Sequence, residues 1–152
     1  MGKRWGYDMD YITVHTLRKL KKAGFSYPDY EHFLNKGMVY YYQDNEYFIG
    51  GGTFDSFTEF DKAVARDGEW LPEACQLLSW LKNTDFKVDI SVEGNHFAVQ
   101  ATDLIIGSVF LSESYSLADT LAFLIRKICK SKQREYVPQS VLRLQILEND
   151  DA

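Results

Sequence analysis

The chain has 152 residues, a net charge of -5 and a pI near 5.2, which argues against broad, sequence-independent nucleic-acid binding, because that depends on neutralising phosphates. Hydrophobic residues at 45% and charged residues at 26% fit an ordinary globular protein of one domain, or two small units, 1–68 and 69–134, sharing a core, with a C-terminal segment 135–152. No stretch approaches the length of a membrane span, and Met1-Gly2-Lys3-Arg4-Trp5 is not followed by an apolar segment, so the expected location is cytoplasmic with no membrane partner.

Tyr11 to Ala23 reads as an amphipathic helix with Ile12, Leu17 and Leu20 on one side and Gly24 as C-cap. Arg18, Lys19, Lys21 and Lys22 gather in its last turns, where cations complement the helix dipole. Pro28 suits the start of a short helix through Leu34, closed by Asn35-Lys36-Gly37.

Met38 to Ile49 predicts a hairpin, with Val39, Tyr40, Tyr41 and Tyr42 before Asp44-Asn45 and Tyr47, Phe48 and Ile49 after it. One aromatic face then enters the core, and the other is either covered by a helix or offered to a partner through Tyr40, Tyr42 and Tyr47. Gly50-Gly51-Gly52-Thr53 lacks the Gly-Lys-Ser/Thr ending of a phosphate-binding loop, so it reads as a connection to a helix from about Ser56 to Arg66.

A helix is predicted from Pro72, with Ala74, Leu77, Leu78 and Leu81 on one stripe. The period then changes to two. Phe86, Val88, Ile90 and Val92 alternate with polar residues, Glu93-Gly94-Asn95 turns the chain, and Phe97, Val99 and Ala101 return it. Thr102-Asp103 starts a second turn, and Leu104 to Leu111 is expected as a third strand. Ser116, with Asp119 three residues on, predicts the N-terminus of a long helix carrying Leu117, Leu121, Leu124, Ile125 and Ile128. Its end is basic, with Arg126, Lys127, Lys130, Lys132 and Arg134. The tail from Glu135 contains Val141-Leu142-Arg143-Leu144-Gln145-Ile146-Leu147, too apolar for a disordered end, and reads as an edge strand or a segment offered to a partner.

The expected fold is therefore α+β: an antiparallel sheet packed by helices, helix-hairpin-helix in the first half and helix-three-strand-helix in the second. The latter order, over Pro72 to Lys132, resembles the double-stranded RNA-binding domain in topology, but that family's lysine-rich helix start is replaced here by Ser116-Leu117-Ala118-Asp119. Phe97 to Asp103, Gly107 and Ser114 to Leu121 resemble small phage and prophage proteins in which helices sandwich a sheet. HicB-type antitoxins are similar in their strand-to-helix ending.

No catalytic signature accompanies these elements. His15, His32 and His96 are scattered, Cys75 and Cys129 lack ligand partners at metal-binding spacing, Ser112 and Ser114 stand in no nucleophile elbow, and Asp55, Glu59 and Asp61 sit where a helix start favours carboxylates. Neither metal nor cofactor is expected. The resulting expectation is a non-catalytic interaction protein of bacterial or prophage type, binding a protein partner or forming a homodimer. The alternative is a nucleic-acid accessory protein using Arg18, Lys19, Lys22, Arg126, Lys127 and Lys130 as a local patch, which requires the two helix ends to lie side by side.

Overall fold

The computed structural model describes residues 10–31, 37–50 and 57–138. Its elements run α1 (Val14–Ala23), α2 (Pro28–Glu31), β1 (Val39–Tyr42), β2 (Asn45–Phe48), α3 (Glu59–Asp67), β3 (Glu69–Leu71), α4 (Ala74–Asn83), β4 (Phe86–Glu93), β5 (His96–Asp103), β6 (Val109–Ser114) and α5 (Leu117–Ser131). Two antiparallel three-stranded sheets, β2-β1-β3 and β4-β5-β6, pack against these helices, which is an α+β fold.

Two helices start later than their apolar spacing predicts, and for one reason. Tyr11 and Ile12 are extended, the Ile12 amide donates to the Pro72 carbonyl at 3.0 Å, and Tyr11 bridges Glu73. Residues that look helical are thus spent on main-chain pairing, leaving Thr13 to cap α1 and Glu73 to begin α4. The helix expected through Leu34 extends to Glu31 among the described residues, and its remainder, with His32, lies outside them. The helix expected from about Ser56, a residue outside the described ones, has Thr58 as its N-cap: the Thr58 hydroxyl accepts from the Asp61 amide at 3.0 Å, while the Asp61 carboxylate accepts from the Thr58 amide at 3.2 Å. That reciprocal cap gives Asp61 a structural role.

β3 has no counterpart in the periodicity, because three residues between Gly68 and Pro72 cannot display a period. It pairs with β1, Tyr40 opposite Trp70 and Val39 opposite Leu71, so a division at 68/69 runs through the first sheet. Gly68 permits the approach, since a Cβ there would stand 2.4 Å from the Val64 carbonyl oxygen and 3.0 Å from that of Tyr41. The buried residues form one cluster extending from Tyr11 and Leu17 through Trp70 and Trp80 to Val99 and Ile128.

The second sheet follows the expected order with one correction. Leu104, Ile105 and Ile106 form a turn, and the third strand begins at Val109. Asp103 causes this: its carboxylate accepts from the Ile105 and Ile106 amides, its own amide donates to Ser108 at 2.8 Å, and Gly107 supplies φ of +80°. The inner row, with Phe86, Val99, Ala101 and Phe110, faces α4 and α5. The outer row, with Asp89, Gln100 and Leu111, is exposed among the described residues.

Helices α1 and α5 run side by side in the same direction. Their starts meet at Asp10, whose carboxylate accepts from the Ser116 hydroxyl at 2.7 Å and the Ala118 amide at 2.8 Å. Their ends share a hollow lined by Ala23, Gly24, Cys129 and Lys132. Parallel neighbours place two negative dipole ends together, so lysines at both C-termini are favoured by the fold itself.

Candidate functional site

Large apolar side chains that remain in water are the natural starting point, since contiguous exposed apolar patches mark interaction sites. Among the described residues, Phe60 is exposed in the first half, whereas Ile90, Val92, Leu104, Ile105, Ile106, Val109, Leu111, Tyr115 and Phe123 are exposed in the second. The densest group is the β5–β6 turn, where Leu104, Ile105 and Ile106 are 64%, 62% and 43% exposed. Val109 and Leu111 continue it along the outer row of β6.

This turn is held firmly. Asp103, 0% exposed, accepts from Arg134 Nε at 2.8 Å and from the Tyr136 hydroxyl at 3.2 Å as well as from the two turn amides. Burial alone pushes the Asp103 carboxyl up, but the Arg134 hydrogen bond, the Ile105 and Ile106 amides and the Arg134 charge outweigh it and hold the group below the ordinary carboxylate value. Arg134 also donates to the Thr84 carbonyl and lies 4.5 Å from the Tyr136 ring centroid. A rigid apolar tip loses little conformational entropy on docking.

The tyrosines of the first hairpin are placed differently from one another. Tyr40 is 1% exposed and cannot present its ring to a partner, because the face it shares with Trp70 is covered. Tyr42 and Tyr47 are half-buried, with rings 6.3 Å apart, and both pack edge-on to Phe60 of α3, at 6.4 and 5.1 Å. The helix-covered reading of this hairpin face thus describes Tyr40 fully and Tyr42 and Tyr47 in part.

The parallel α1 and α5 set their C-terminal ends side by side, as the nucleic-acid alternative requires, but several of its basic residues are already engaged. Arg18 pairs with Glu69 at 2.9 Å, and that contact pushes its pKa up. Lys127 Nζ donates to the Leu111 carbonyl, and Arg126 turns a buried Nε inward with no partner among the described residues. Lys19, Lys22 and Lys130 are exposed.

Chemistry finds less support. Among the described residues no group of three His, Cys, Asp or Glu is placed to hold a metal ion. His15 is exposed, His96 lies 4.6 Å from the Tyr115 ring, and Asp55 is outside the described residues. Cys75 is exposed and Cys129 half-buried, both as free thiols. Burial pushes Cys129 up to about 11. Burial, then the charge and hydrogen bond of Glu73, raise Cys75.

The apolar turn is the feature that periodicity hid, since three consecutive large apolar residues imitate a strand. The available signal was the flanking pair Asp103 and Gly107, a side-chain-capped turn with a positive-φ exit. Among the described residues no helix is long and apolar enough to cross a membrane. No family model, no curated protein and no solved structure matches this chain.

Proposed function

We propose that this chain is a non-catalytic interaction protein, cytoplasmic and of the bacterial or prophage kind that residues 97–121 resemble, which docks a protein partner on the β5–β6 turn and the outer row of β6. The observation that carries this reading is the exposure of Leu104, Ile105 and Ile106 on a turn locked by Asp103. The surroundings set the partner's chemistry. Lys127 sits at β6, Gln133 accepts from the Ser108 hydroxyl beside the turn, and the outer row carries Asp89 and Glu113 as well, so a mainly apolar partner surface of mixed charge fits best. Because Lys127 occupies the Leu111 carbonyl, side chains rather than strand addition carry the contact.

The test is a photo-crosslinking residue at position 105, compared with one at the exposed Lys62 of α3. A defined adduct from position 105, with the crosslinked partner peptide mainly apolar, is the expected result. Identical adducts from both positions, or none from 105, would remove the proposal.

A further inference from the structure

The second sheet has two outer strands, β4 and β6, and their edges differ. On β6, Lys127 Nζ reaches across to the Leu111 carbonyl. On β4 every residue from Asp89 to Glu93 is exposed, including the large apolar Ile90 and Val92, at 42% and 59%. β4 pairs with β5 without a bulge from Phe86 to Glu93, and it contains neither Gly nor Pro. Sheets that keep an edge solitary commonly use such a device or an inward-pointing charge, whereas the inner row of β4 is Phe86, Val88, Ile90 and Val92.

The hydrogen-bonding phase of β4 follows from its hairpin. The two-residue turn Gly94-Asn95 makes Glu93 and His96 a hydrogen-bonded pair, so the amides and carbonyls of Val88, Ile90 and Val92 point away from β5. The opposite edge agrees: the same alternation turns the Leu111 carbonyl outward from β6, where Lys127 meets it.

These outward groups suit a second β4 running antiparallel about a two-fold axis at Ile90. Residues symmetric about Ile90 then stand opposite: Ile90 meets Ile90 of the second copy, Val88 meets Val92, Asp89 meets Ser91 and Lys87 meets Glu93. Lys87 and Glu93 are exposed, and neither is ion-paired within its own copy among the described residues. The neighbouring registers are opposed by charge, since centring on Asp89 sets that carboxylate against itself and centring on Ser91 sets Asp89 against Glu93. Centring on Val88 leaves Ser91, Val92 and Glu93 beyond the end of the partner strand.

We propose that two copies of this chain associate through β4, joining their three-stranded second sheets into one continuous antiparallel sheet. About six main-chain hydrogen bonds form across the axis. Val88, Ile90 and Val92 of both copies make one apolar stripe on the inner face, and a Lys87–Glu93 pair closes the outer face on either side of the axis. The β5–β6 turns are not used, so this surface is separate from the docking surface proposed above, and the dimer presents that surface twice.

A single strand pairing is a small interface, so the test is sedimentation of the full chain from about 1 to 100 μM. A monomer–dimer equilibrium is expected. Lys87→Glu alone, or Glu93→Lys alone, sets like charges opposite one another on both sides of the axis and should weaken the dimer at least about tenfold. An equimolar mixture of the two variants restores both ion pairs and should form a heterodimer about as tight as the natural homodimer. A monomer throughout, a dimer indifferent to the single reversals, or a mixture no tighter than its components would overturn the proposal. If a reversal unfolds the chain, hydrogen exchange on the natural protein decides instead. The Val88, Ile90 and Val92 amides are expected to be protected at about 100 μM and to lose that protection on dilution to about 1 μM, while the Glu113 amide at the β6 edge is unprotected at both. Protection along β4 that ignores dilution, as a segment of the same chain would give, or no protection at either concentration, overturns the proposal.

Discussion

Arg134 Nε and Asp103 Oδ2 meet at 2.8 Å across 31 residues of sequence, tying the segment that leaves α5 to the turn holding Leu104 to Ile106. Asp103 is fully buried and the Arg134 side chain is 19% exposed, so removing one partner strands a charge. Arg134→Met is expected to cost about 3 kcal/mol, read by urea unfolding. The sign of the acid dependence follows from the lowered Asp103 carboxyl. Its stabilisation is fully present above the unfolded value of about 3.9 and is lost as pH falls through the lower folded value. Stability curves below about pH 4 should therefore be flatter for Arg134→Met than for the parent.

Replacing Ile105 by Asp should change stability by no more than about 0.5 kcal/mol, because the side chain is mostly in water. Its effect belongs to docking. The adduct or affinity read at the β5–β6 turn is expected to fall at least about tenfold, the cost of placing a charge at an apolar contact.

Asp10→Ala removes two hydrogen bonds at the start of α5, those from Ser116 and Ala118. A loss of about 1 to 2 kcal/mol is expected by chemical denaturation. Asp10→Asn, which keeps an acceptor, should recover part of it.

Thiol labelling at pH 8 should separate the two cysteines. With Cys129 pushed up to about 11, its thiolate fraction is on the order of one in a thousand. Cys75 is exposed and should be modified first, although partial burial and then Glu73 raise its pKa and keep it slower than a free thiol. Equal labelling rates would contradict this placement.

Nucleic acid offers the remaining comparison. With Arg18 held by Glu69, Lys127 by Leu111 and Arg126 turned inward, a gel-shift titration at moderate salt should show no salt-dependent complex with single-stranded or duplex probes. A complex weakened by Lys19→Glu, Lys22→Glu or Lys130→Glu would favour the accessory-protein alternative.

How much of this was legible in the residues depends on what each signal reports. The turn at Gly94-Asn95 and the cap at Ser116 act over a few neighbours, and β4, β5 and α5 appear where those signals put them. Pairing across the chain leaves no local trace. Tyr11 and Ile12 look helical but bridge to Pro72 and Glu73, and β3 is too short to show alternation. Tyr40 looks like a surface aromatic because nothing nearby in sequence says that Trp70 lies opposite it. The apolar turn failed for the reverse reason: composition suggested a strand, while one buried carboxylate dictated the bend.

The contact between Asp10 and Ala118 spans 108 residues, and this orders events during synthesis. At about 5 to 20 residues per second, roughly 5 to 20 s pass between the appearance of Asp10 and that of its amide partner. Over that interval Asp10 faces water or chance partners, and the α5 terminus it completes does not yet exist. Closure of this junction therefore waits on synthesis as far as Ala118, long after the helix that follows Asp10 has been made.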